Sequence, residues 1–235
     1  MREMVRRFLR QKFGNLGVVL ALVAIALLAM IFFPSQESGG PAGLAVLVLA
    51  AGSISKDASS GALQMILARP IRRSEYLFGR YLGILSAYAV FLLFTLLLVV
   101  TLPRLFSLLF DQPGPHPPLT SLLRAAGAAW LSGTLVAATL LFFSTFLPGF
   151  GDVLAFILVQ FSFGIGGALG GRFPAVAKAA TIARENLMPD VAWSQVFRGE
   201  GLLGEATGRF VLALTVFLIA ATLVFSRREF SYGQD

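Results

Sequence analysis

The chain is written in long apolar runs separated by short polar segments. Leu16–Phe33, Pro41–Ser55, Tyr81–Leu102, Ala125–Leu147, Val153–Leu169 and Phe210–Phe225 each approach the roughly 20 residues that a membrane-crossing helix needs. They predict six transmembrane helices over about 16–33, 41–56, 81–102, 125–147, 153–169 and 208–226, the second and the last extending into flanking polar residues. Before the first run, Met4, Val5, Phe8, Leu9 and Phe13 recur at helical spacing while Arg2, Arg6, Arg7, Arg10 and Lys12 take the other positions. That pattern describes an amphipathic helix over residues 1–14 lying in the headgroup plane rather than a shapeless basic tail, with Gly14 allowing the bend into the first span.

Between the second and third spans, Leu63, Ile66 and Leu67 stand at i, i+3 and i+4 and Pro70 follows. A short amphipathic helix is expected there, its stripe covered either by lipid or by a groove on another protein. Ser74 is placed to cap the third span, with Glu75 in its first turn. Two further segments stand on the other side. In 103–124 the run from Pro113 to Pro118 allows only turns, and in 170–209 a helix is expected from Pro174 to Leu187, broken by Pro189, with Trp193 suited to a membrane interface.

Composition sharpens this picture. At 57% apolar and 13% charged residues, with a mean hydropathy of +0.80, the 235-residue chain holds more apolar side chains than one soluble core can bury. The expected class is all-α, a polytopic membrane protein forming a single transmembrane domain over 1–235, and the same figures exclude disorder. The net charge of +7 does not signal nucleic acid, because the basic residues cluster at the ends of the apolar runs. Arg2, Arg6, Arg7, Arg10, Lys12, Lys56, Arg69, Arg72, Arg73, Arg80, Arg227 and Arg228 fall on one side of a six-span layout, and the opposite side is poorer in them. Positive charge collects on the cytoplasmic face, so both termini are expected in the cytoplasm and the chain in the inner (cytoplasmic) membrane.

Candidate chemistry is sparse. The chain has no Cys and one His, His116, set among prolines. Gly149-Phe150-Gly151-Asp152 matches the GxGD pattern of intramembrane aspartyl proteases, but that chemistry needs a second carboxylate and no other acidic residue falls inside a span. Asp152 reads better as the cap of the fifth helix. No buried ionisable group is expected at membrane depth, and of the polar side chains in the spans, Thr95, Ser132, Thr134, Thr139, Gln160, Ser162 and Thr215, most are expected to bond back to their own helices and a few to be available to line a path. Each Lys is followed by Phe13, Asp57 or Ala179, so no P-loop exists and the chain is expected to be no enzyme: it binds no cofactor, and energy for uphill movement must come from a partner. Gly166, Gly167, Gly170 and Gly171 form overlapping GxxxG pairs for close helix packing, against either a sister subunit or a neighbour in the same chain.

The stretch from Lys56 to Arg80 resembles the signature of the ABC-2 type transporter permease family (NosY/NatB-like membrane subunits). Asp57, Gly61, Leu63, Leu67, Pro70, Arg73, Gly79 and Arg80 stand at matching positions, with Asp57 in place of the commoner Glu and Ala62 in place of Thr. The resemblance implies that 61–70 is a cytoplasmic coupling helix docking on a separate ABC ATPase subunit, which binds the ATP and Mg. Asp57, Gly61, Leu63, Ile66, Leu67, Arg69, Pro70 and Arg73 are its implied coupling residues, and the Arg2–Phe13 helix takes the place of the elbow helix. It implies two permease copies, identical or paralogous, two ATPases, and an extracytoplasmic accessory protein as a further partner. The implied function is the permease of an exporter; the alternative reading from the residues is a non-transporting membrane scaffold or assembly factor that recruits a soluble partner through the same loop.

Overall fold

The computed structural model of the protein describes residues 2–32, 42–54, 57, 72–110, 118–147, 150–168, 173–189, 191, 193–198 and 204–227. Among these residues the regular structure is entirely helical: α1 Arg2–Phe13, α2 Leu16–Phe32, α3 Ala42–Ala50, α4 Arg73–Phe110, α5 Leu119–Ser144, α6 Gly151–Ala168, α7 Pro174–Leu187, α8 Trp193–Arg198 and α9 Glu205–Arg227. Four of them, α4, α5, α6 and α9, are long and apolar enough to cross a membrane, and α1 with α2 makes a fifth candidate if the bent pair counts as one span. The hydropathy pattern predicts six. The difference lies at α3, whose nine described helical residues rise only about 14 Å.

Local chemistry explains where these helices start and stop. Between α1 and α2 the chain turns through 82°. A side chain at Gly14 would meet the Arg10 carbonyl oxygen at 2.6 Å, so the bend requires glycine there. Asn15 then caps α2, its Oδ1 accepting the Gly17 N–H at 3.0 Å. α3 does not run on into the polar residues after it: Gly52 adopts φ 60°, a left-handed conformation that glycine takes without penalty, and the chain leaves the helix. α4 begins one residue before the expected cap, so Ser74 lies inside it, and the Glu75 carboxylate accepts the Arg72 N–H at 3.4 Å instead. At its other end α4 continues through Pro103 to Phe110, making part of the expected turn-rich segment helical. Proline removes one backbone bond, and the apolar residues beyond it carry the helix on.

α5 is the hub, packing against α3, α4, α6, α8 and α9. Its contact with α4 depends on Gly133, where a Cβ would collide with the ring of Tyr88. The tyrosines that fill this contact keep their hydroxyls satisfied, Tyr88 donating to the Ala129 carbonyl and Tyr81 to that of Thr134, each at 3.2 Å. Thr95, Thr134, Thr139, Ser162 and Thr215 bond back to carbonyls of their own helices. α6 and α9 leave long apolar faces exposed, including Leu154, Leu158 and Phe161 on one and Val211, Leu212 and Val216 on the other.

α7 has the bounds its sequence suggests and folds back along α6. Ala180 meets Gly166, where a Cβ would lie 2.5 Å from the alanine's own, and farther along Gln160 Nε2 donates to Met188 Sδ at 3.1 Å. The partner of Gly166 is therefore this chain's own helix. Gly167 has no atom within 4 Å of where a Cβ would stand, and Gly170 and Gly171 lie outside the described residues. Trp193 is buried edge-on to Phe210 with ring centroids 5.0 Å apart, in a small cluster with Val191, Ala128 and Leu135.

Candidate functional site

The ends of α1, α3, α4, α5, α6 and α9 meet in one polar layer. The structure buries Lys12, Asp57, Arg80 and Asp152 here, all of them flanking the predicted spans rather than inside them. Burying an isolated charge costs several kcal/mol, so each must be compensated. Each is.

The first half of the layer is built on α1. Val5, Phe8 and Lys12 recur at three- and four-residue spacing, so Lys12 stands on the apolar face and not with the other basic residues. Its Nζ donates to the carbonyl of Ala51 at 3.1 Å and to that of Val48 at 3.5 Å, at the C-terminal end of α3 where a helix leaves carbonyls unpaired and carries partial negative charge. The carboxylate of Asp152 receives the Gly52 N–H on Oδ2 at 2.9 Å and the Val153 N–H on Oδ1 at 2.8 Å. Asp152 thus lies in the first turn of α6 and also ties α6 to the turn after α3, a role beyond the simple cap its position suggests. Ser144, at the end of α5, bonds with Asp152 and accepts the Ile54 N–H at 3.1 Å.

The second half is built on α4. Asp57 and Arg80 form a buried ion pair, and the Tyr76 hydroxyl donates to Asp57 Oδ2 at 2.7 Å. Arg80 also lies over the ring of Phe8, its guanidinium carbon 5.3 Å from the centroid, while Lys12 Nζ stands 5.7 Å from the same ring. Two cations on one aromatic ring join the halves. Phe8 itself is fully buried on Gly83 of α4, where a Cβ would come within 3.1 Å of it. Opposite, Tyr76 stacks on Phe225 with centroids 5.6 Å apart. Arg73 Nη1 donates to the Ser226 carbonyl at 2.8 Å and to that of Phe225 at 3.4 Å, at the end of α9.

This layer sorts the residues singled out from sequence. Phe8 of the amphipathic helix is held by protein rather than by headgroups, Val5 and Leu9 are half-buried, and Phe13 is exposed; the side chain of Met4 lies outside the described residues. Of the coupling residues, Asp57 is turned into the bundle and Arg73 sits at its edge. Gly61, Leu63, Ile66, Leu67, Arg69 and Pro70 lie outside the described residues, as does His116. The sequence pattern does not mark Lys12, Tyr76, Asp152 or Gly52 as site residues. For Lys12 and Tyr76 the signal was available in the helical period; for the Asp152–Gly52 contact it was not, because one hundred positions separate the pair.

Asp57 is engaged by the Arg80 guanidinium and the Tyr76 hydroxyl, and Asp152 by two backbone N–H donors. What the arrangement supplies is mechanical. Six helix ends are held in one register, and a displacement of one must break or carry the others. No protein-family model matches the chain, and no curated protein matches it.

Proposed function

We propose that the chain is the membrane-spanning permease subunit of an ABC-2 type transporter, an exporter, coupled to a cytoplasmic ATPase subunit. The observation that carries this reading is the anchoring of the segment between α3 and α4. Asp57, at its start, is ion-paired to Arg80, and Arg73, at its end, is bonded to the last carbonyls of α9. The segment between these anchors holds the apolar stripe Leu63, Ile66 and Leu67. A partner that grips the stripe and moves would therefore pull on α4, on α9 and, through Phe8 and Arg80, on α1.

In this reading α1 lies in the headgroup plane, six passes bring both termini to the cytoplasmic side of the inner membrane, and the polar layer sits at that face. Two copies of the chain, or the chain and a paralogue, enclose the path, with ATP and Mg held by the ATPase and an accessory protein engaging the outer face. The test is co-expression with an ABC ATPase subunit, followed by co-purification and ATP-dependent flux in proteoliposomes. Leu67→Asp places a carboxylate where a groove must exclude water, a change costing several kcal/mol; at about 1.4 kcal/mol per tenfold, it should cut ATPase retention by orders of magnitude. Unaltered co-purification and flux in that variant would remove the coupling assignment. Retention of the ATPase by the unmodified chain without any flux would identify a scaffold instead.

A further inference from the structure

At the far end of α6 from the polar layer, a cleft opens between this helix and α7. Gly167 lies fifteen residues beyond Asp152, about 22 Å along the axis, so the cleft is at the opposite end of a helix apolar enough to cross a membrane. It holds about 270 Å³. Phe163, Gly167, Ala180 and Met188 give it an apolar wall, and Arg184 and Glu185 stand at its polar side. Thr181, also in the lining, spends its hydroxyl on the Ala177 carbonyl.

The charges at this site are specific. Arg184 has no carboxylate partner among the described residues. Glu185 gives Oε2 to Arg209 at 2.9 Å, and Arg209 is held in turn by Glu205 at 2.5 Å. The group of four is neutral, yet within the cleft a cation and an acid are presented side by side next to an apolar wall. A ligand that matches must carry a negative group, a positive group and a hydrocarbon chain.

We propose that the cleft between α6 and α7 is a binding site for a zwitterionic aminophospholipid, with phosphate on Arg184, the ammonium on Glu185 and an acyl chain along Phe163 and Met188. The inference rests on the bundle lying in a bilayer, and does not depend on the transport reading. Phosphate and ammonium each gain a charge-assisted hydrogen bond, and the chain leaves water for the apolar wall.

Native mass spectrometry of the full chain released from detergent, titrated with phosphatidylethanolamine, phosphatidylcholine and free phosphoethanolamine, tests this. Phosphatidylethanolamine should bind about tenfold more tightly than phosphatidylcholine, whose quaternary ammonium has no N–H to donate. Arg184→Gln should lower its binding about tenfold as well. Gly167→Leu should abolish it, because the position lines the cleft and has open space at its Cβ. Gly164→Leu, equally open but outside the cleft, should leave binding unchanged and so control for the fold. Equal binding of the two lipids, full binding by the Gly167→Leu variant, or free phosphoethanolamine binding as tightly as the lipid would each overturn the proposal.

Discussion

Asp152 and Gly52, one hundred positions apart, are joined by a 2.9 Å hydrogen bond from the glycine N–H to the carboxylate. The bond exists because Gly52 takes φ 60°. That conformation ends α3 and turns its backbone donor toward the start of α6. A backbone conformation and a buried carboxylate thus depend on one another.

Removing the acid should therefore cost the backbone donors it holds. Asp152→Ala orphans the Gly52 and Val153 N–H groups, and leaving a buried donor unsatisfied costs about 1–3 kcal/mol. Thermal unfolding in detergent should show a large loss for Asp152→Ala. Asp152→Asn, which keeps one acceptor oxygen for these donors, should lose less. An equal loss in the two variants would mean that the carboxylate does not act through these hydrogen bonds.

Gly52 and Gly164 should respond oppositely to alanine. At Gly52 the left-handed backbone makes Gly52→Ala destabilising by about 1–2 kcal/mol. Gly164 sits inside α6 with open space at its Cβ, so Gly164→Ala should stabilise by up to about 1 kcal/mol through helix propensity. The comparison of the two unfolding midpoints checks this.

At the α4–α5 contact, Gly133→Ala drives a methyl into the Tyr88 ring and should destabilise by about 1–3 kcal/mol. Shrinking the ring to a smaller side chain, with Tyr88→Leu in the same molecule, should relieve the clash. The cycle is sound only if Tyr88→Leu alone is also destabilising, since it loses the bond to the Ala129 carbonyl.

Tyr76→Phe removes one donor from Asp57 and leaves the ion pair with Arg80, a loss of about 1.5–3 kcal/mol for a bond to a charged group. Arg80→Met leaves the buried carboxylate without its guanidinium and should cost more. Unfolding curves in which the tyrosine variant is the worse of the two would contradict the dominance of the ion pair.

Because the chain contains no cysteine, single cysteines report the sidedness of the proposed six-pass layout without background. Ser35→Cys and Ser121→Cys should be modified by an impermeant maleimide added outside whole cells, Ser59→Cys and Ser231→Cys only after the membrane is opened. Modification of Ser59→Cys from outside would reverse the orientation and detach the α3–α4 segment from any cytoplasmic partner.

Much of this protein was legible in the one-dimensional pattern. Runs of Leu, Val, Ala and Phe declare apolar helices, because run length and helical period are properties of neighbouring residues. α7 begins at Pro174 and ends just before Pro189 for similarly local reasons. The same period even held an unused clue, since Lys12 follows Phe8, and Arg80 follows Tyr76, by four positions on faces that turn inward. What no local pattern contained was the partner of each buried charge. Lys12 had to find the carbonyls at the end of α3, Asp152 the Gly52 N–H, and Arg73 the last turn of α9. Those pairings depend on which helix ends meet, and in a chain where nearly every helix is apolar, hydropathy does not distinguish one neighbour from another. Only the tertiary structure decides it, through close approaches such as Gly133 on Tyr88 and Gly83 on Phe8 and through the cost of leaving a buried charge unpaired.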